Sequence, residues 1–206
     1  MRKAILTLNG ILLAAFLVLS AATWMDGYKA GDKAVDFKLK NVDEKMVSMA
    51  DNASAKGYIL VFTCNTCPFS QAYEDRIIAL HKKYAPQGYP VIAINPNDPA
   101  ASAGDSFAKM QQRAKEKKFP FPYLIDETQS VAKTYGATRT PHVFIVKKEA
   151  ADFVVQYIGT IDDNSQNPED VQKKYVEEAM TEIMAGKPVS QTLTKAIGCT
   201  IKWKTS

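Results

Sequence analysis

The residues with the clearest capacity for chemistry are two cysteines three positions apart, in the run Cys64-Asn65-Thr66-Cys67. They stand between an apolar stretch, Gly57 to Phe62, and a segment from Pro68 that carries helical periodicity. A strand-to-helix junction gathers free backbone N–H groups and the positive end of a helix dipole, and both favour a thiolate over a thiol. A thiolate so placed attacks at neutral pH, and a second cysteine within reach can close a disulfide with it, so the order strand, CxxC, helix predicts thiol–disulfide exchange. Pro68 suits the first helical turn, where its missing N–H removes a donor that would be unpaired in any case. Two other readings compete. A closed zinc site needs four ligands, and the remaining soft candidates are Cys199, His81 and His142, so no metal is expected. An inert disulfide across two intervening residues closes a very small loop and constrains the unfolded chain little.

A second element sits downstream, where Thr138-Arg139-Thr140-Pro141 runs into the apolar stretch His142 to Val146. A proline at the start of a strand donates nothing to the ladder and is there for shape. His142, next to that proline, and His81, between apolar positions of the first helix, are both read as structural. Cys199 is the odd cysteine. It is read as a small apolar residue fastening the tail with Ile201 and Trp203, with a free reactive thiol or an intermolecular bridge as the alternative.

The elements that must position these residues follow from periodicity. Asp36 to Lys40 and Met46 to Ser48 flank the polar turn Asn41 to Lys45, which predicts an N-terminal β-hairpin. Gly57 to Phe62 reads as a central strand covered on both faces. In the segment Pro68 to Tyr84, Phe69, Tyr73, Ile77, Leu80 and Tyr84 make one apolar face of a helix that Pro86 and Gly88 end. Tyr89 to Ile94 is a second buried strand, Asn95 to Pro99 a loop of turn formers, and a helix runs from about Asp105 to Lys117. Phe121 to Ile125 (strand), Gln129 to Tyr135 (helix), His142 to Val146 and Phe153 to Gly159 (strands) and Val171 to Met184 (helix) complete the set. The fold class is α/β, a central sheet with helices on both faces.

Residues 1–22 have the layout of a signal peptide: Met1-Arg2-Lys3, an apolar run to Leu19, then Ser20-Ala21-Ala22. The chain is therefore expected in the periplasm or another extracytoplasmic space. An uncleaved anchor is the alternative, since the run approaches the roughly 20 residues that span a bilayer. Residues 23–186 are expected to form one domain and 187–206 a tail packed on it. The formal charge is +4, of which Arg2 and Lys3 supply two, so the composition gives no argument for nucleic acid.

Together Tyr58 to Phe62, Cys64 to Pro68 and Thr140-Pro141 resemble the thioredoxin superfamily. Within it they are similar to the redoxin branch of thiol–disulfide oxidoreductases and peroxiredoxin-like proteins, and the resemblance covers roughly residues 29–185. It implies a thioredoxin-like fold with a central mixed β-sheet, a cis peptide before Pro141, and Thr140 and Pro141 beside the cysteine pair as substrate-binding residues. It further implies Cys64 as nucleophile, Cys67 as resolving thiol, a disulfide between them, and no cofactor. Partners would be a disulfide- or dithiol-containing protein or small molecule and a thiol donor or acceptor of electrons, with no stable membrane association unless the leader is retained. Two features depart from the pattern. Thioredoxins carry a buried acid six residues before the first cysteine, where this chain has Tyr58. Typical peroxiredoxins carry Thr or Ser three residues and Pro seven residues before the peroxidatic cysteine, where Val61 and Gly57 precede Cys64. Peroxide reduction is thus the second enzyme reading, and a binding module with structural cysteines the third.

Overall fold

A computed structural model describes residues 27–205, so the leader read at 1–22 lies outside the described residues. In chain order the elements are β1 (Lys33–Ala34), β2 (Leu39–Asn41), β3 (Met46–Val47), β4 (Gly57–Phe62), α1 (Pro68–Tyr84), β5 (Val91–Asn95) and α2 (Phe107–Lys117). There follow β6 (Tyr123–Ile125), α3 (Ser130–Tyr135), β7 (Arg139–Thr140), β8 (His142–Glu149), β9 (Asp152–Gly159), α4 (Tyr175–Met184) and β10 (Cys199–Thr200). Eight strands form one sheet in the order β1-β9-β8-β4-β5-β6-β2-β3, and β7 pairs separately with β10.

The sheet is mixed. β4 runs parallel to β5, and β5 to β6, while β8 and β9 fold back antiparallel. β4 lies between β5 and β8 with every residue buried, as its unbroken apolar sequence predicts. Its side chains alternate between two cores. Ile59 and Val61 pack with Tyr73, Ile77 and Leu80 of α1, Met110 of α2 and Val176, Met180 and Ile183 of α4. Tyr58, Leu60 and Phe62 pack on the opposite face with Ala132 and Tyr135 of α3 and with Phe144 and Val155. Helices thus cover both faces of the sheet. Gly57 opens β4 where a Cβ would lie 2.2 Å from the Val146 carbonyl oxygen and 2.5 Å from the Tyr89 ring, so no larger residue fits there without a shift.

The N-terminal hairpin forms with Leu39 opposite Val47 and Lys40 opposite Met46. Its first strand starts later than the alternation suggests, because the Asp36 carboxylate accepts from the N–H groups of Phe37, Met49 and Ala50 instead of leaving the backbone to a ladder. The last helix is also shorter than expected, starting at Tyr175 and not Val171. Residues 172–173 bond to the loop after β9, with the Gln172 N–H donating to Asp163 Oδ1 at 3.0 Å and the Asp163 N–H to the Lys173 carbonyl at 3.1 Å. The second helix begins at Phe107, and Asp105 belongs to a short 3₁₀ turn that aims it inward. After α4 the chain crosses β9, where Leu193 bridges Ile158, and ends with Ile201 buried on the α3 side.

Candidate active site

Cys67 is the N-cap of α1, with extended backbone at φ −78° and ψ 123°, and Pro68 follows it in the first turn. Cys64 lies just beyond the end of β4. Both side chains are free thiols and both are nearly sealed from solvent, at 3% and 2% exposure. Thr140 closes the site from β7. Its Oγ1 is 3.2 Å from Cys64 Sγ, and its carbonyl oxygen accepts from Cys67 Sγ at 3.1 Å. Ser70 Oγ lies 3.9 Å from Cys64 Sγ. The Thr140–Pro141 peptide is cis. The fold therefore brings Cys64, Cys67 and Thr140 into contact across more than seventy residues of chain.

The two thiols ionise as a coupled pair. Their mutual contact, with burial and the Asp105 charge, makes a second negative charge costly beside the first. The pair is best treated as one acid that loses a first proton easily and a second with difficulty. Thr140 decides where the remaining proton rests. With the proton on Cys67 it meets the Thr140 carbonyl, and the Thr140 hydroxyl then serves Cys64 as a donor.

The residues between the cysteines are fixed by a carboxylate forty positions away. Asp105 is fully buried and accepts from the Asn65 N–H (2.6 Å), Thr66 Oγ1 (2.7 Å), Ser102 Oγ (2.7 Å), Asn97 Nδ2 (3.0 Å) and Asn95 Nδ2 (3.3 Å). Burial alone would raise its pKa, but these bonds outweigh it and hold the carboxyl below its ordinary range. Asn65 is clamped further: its Nδ2 donates to the Gly104 carbonyl, its Oδ1 accepts from Tyr123 Oη, and its carbonyl accepts from Gln71 Nε2. Sequence reasoning missed Asp105, Asn95, Asn97 and Tyr123. The signal was a cluster of polar residues directly after a buried strand, which turn-forming composition explains equally well.

Tyr58 takes no part. It points into the opposite core, and its hydroxyl is spent on the Met49 carbonyl. His142 is buried, tilted against the Phe144 ring and bonded at Nδ1 by the Thr138 N–H, and burial drives its pKa to about 4, so the ring is neutral near pH 7. His81 accepts from the Val91 N–H. Both histidines hold structure together, as expected. Cys199 differs from its expected place: it is half-buried on β10, opposite Thr140, and Trp203 is exposed, so of the three residues expected to fasten this segment Ile201 is the one buried in the core. Among the described residues no group of three or more His, Cys, Asp or Glu is placed to hold a metal ion.

The sequence model of the AhpC/TSA family matches residues 30–163. Thiol-disulfide oxidoreductase ResA of Halalkalibacterium halodurans is 25% identical over 120 residues, 58% of this chain and 64% of that protein, so the match spans less than two thirds of its length. The crystal structure of an uncharacterized conserved protein from Geobacillus kaustophilus is 36% identical, with a TM-score of 0.79 over 87% of this chain and 94% of that one. Peroxidoxin BcpB of Mycobacterium tuberculosis is similar in fold, with a TM-score of 0.57 at 19% identity over 76% of this chain and 97% of that one.

Proposed function

The chain belongs to the AhpC/TSA family, and on that premise we propose that it is an exported thiol–disulfide oxidoreductase working through Cys64 and Cys67. The observation that carries the proposal is a pair of free thiols at a strand-to-helix junction, each in contact with Thr140. In the reducing direction the Cys64 thiolate attacks a substrate disulfide, expelling one substrate sulfur as thiolate and leaving the other bonded to Cys64. Cys67, its proton passed on, then attacks Cys64 Sγ, releases the second substrate thiol and closes the Cys64–Cys67 disulfide. Thr140 and Pro141 would border the incoming sulfur. Run backwards, the same steps oxidise a dithiol. The curated relative named as a thiol-disulfide oxidoreductase supports this class, and the leader read at 1–22 supports an extracytoplasmic setting with protein or small-molecule disulfides as substrates.

The test is reduction of a disulfide-bonded protein by dithiothreitol in the presence of the leaderless chain. Cys64→Ser and Cys67→Ser should each abolish catalysis while leaving the circular dichroism spectrum intact. Full turnover by either variant would exclude the mechanism. Peroxide reduction is the second reading, favoured by the family itself. It would be marked by hydroperoxide oxidising Cys64 far faster than it oxidises a free thiol.

A further inference from the structure

The tail returns to the thiols. β10 pairs antiparallel with β7 so that Cys199 faces Thr140 and Thr200 faces Arg139. Residues facing each other in such a ladder have Cα atoms about 4.5–5.5 Å apart, and Thr140 is the residue whose carbonyl accepts from Cys67 Sγ. The pairing is held on both sides. Arg139 Nη1 donates to the Gly198 carbonyl at 2.9 Å, the Ile201 N–H to the Thr138 carbonyl at 3.3 Å, and the Lys202 N–H to Asn97 Oδ1 at 2.9 Å. Gly198 approaches so closely that a Cβ there would lie 2.2 Å from the Thr140 carbonyl oxygen. Cys199 is the half-buried member of the three sulfurs, whereas Cys64 and Cys67 are sealed. Burial, and after it the neighbouring Cys67, raise the Cys199 thiol, so the two cysteines lie near enough to act on each other.

We propose that Cys199 is a third redox cysteine of the site, which carries the disulfide from the buried pair towards solvent by exchange with Cys67. This rests on the Cys64–Cys67 disulfide proposed above. The Cys199 thiolate attacks Cys67 Sγ, the Cys67–Cys199 bond forms, the Cys64–Cys67 bond breaks, and Cys64 leaves as a thiolate that takes up the proton Cys199 gave away. No external oxidant or reductant is consumed, since one disulfide and one thiol are present before and after the step. The new disulfide ends on the half-buried sulfur. A partner thiol can therefore attack Cys199 without entering the sealed site, and Cys199 leaves the pair joined to the partner.

The test uses leaderless Cys64→Ser, reduced and then exposed to oxidised glutathione, with acid quench, alkylation and peptide mapping. An intramolecular Cys67–Cys199 link should form, with both alkylatable thiols lost and two glutathione thiols released for each glutathione disulfide consumed. Cys67 found bound to glutathione, or still free, while Cys199 remains alkylatable would overturn the proposal. If Cys64→Ser does not fold, Cys64→Ala takes its place, since it also leaves Cys67 and Cys199 as the two remaining cysteines. Wild-type protein under the same treatment reports on the underlying reading separately: loss of the Cys64–Cys67 link there counts against thiol exchange itself, and its presence beside an unlinked Cys67 in the variant counts against Cys199 alone.

Discussion

The two flanks of the cysteine pair are built differently. On one side the buried Asp105 gathers five hydrogen bonds and locks Asn65 and Thr66 against Tyr123 and the loop after β5. On the other side a two-residue ladder, β7 with β10, carries Thr140 and Cys199, and of its tail only Ile201 is buried in the core. A region with many buried, satisfied polar groups opens only with the whole fold, whereas a two-residue ladder held mostly by part-buried bonds is expected to open locally at lower cost. Rigid structure thus sets the spacing of the cysteines, and the β7–β10 flank is the one expected to govern access to them.

The largest effect is expected on the rigid flank. Asp105→Ala strands several buried donors and should lower stability by about 3 kcal/mol or more, whereas Asp105→Asn, which keeps one acceptor, should lose about half as much in urea titrations. Equal midpoints for both variants would show that the carboxylate does not organise the loop. Acid should act on the scaffold next. An unfolded imidazole protonates near its ordinary 6.5 and buried His142 only near 4, so the unfolded state takes up the proton first and stability drains as pH falls between these values, by about 3 kcal/mol. Asp105 adds to the loss lower down, because its folded pKa is depressed and its contribution disappears as pH falls through that value. His142→Asn should flatten the upper part of this dependence, and an unchanged slope would place the acid sensitivity elsewhere. The smallest change in stability is expected on the tail. Ile201→Ala should cost about 1–2 kcal/mol, below the range for a well-packed core residue, because a two-residue ladder at the edge can shift to fill the space. It should nevertheless speed alkylation of Cys67 more than Asp105→Asn does. The reverse order would mean that access comes from the Asp105 side.

Much of this was legible in the sequence where one local rule governs. The unbroken apolar run Gly57 to Phe62 had to be a central strand, and the three- and four-residue spacing from Tyr73 to Tyr84 together with Pro68 fixed α1 to the residue. Elements that depend on distant partners were not legible. Asp105 looked like an ordinary residue at a helix start, since nothing local says that its partners are Asn65 and Thr66. Val171 fitted the apolar stripe of α4, but the residues after it pair with Asp163 across the loop. Cys199 stood in a segment with no periodicity, so its register opposite Thr140 had no signature in the chain.

The most direct test of the account is equilibration of the leaderless wild-type chain with glutathione buffers of graded potential, followed by thiol trapping and peptide mapping. The account predicts a reversible disulfide that includes Cys67, joined chiefly to Cys64, with a measurable midpoint. Cys64 and Cys67 trapped as free thiols across the whole range would contradict it.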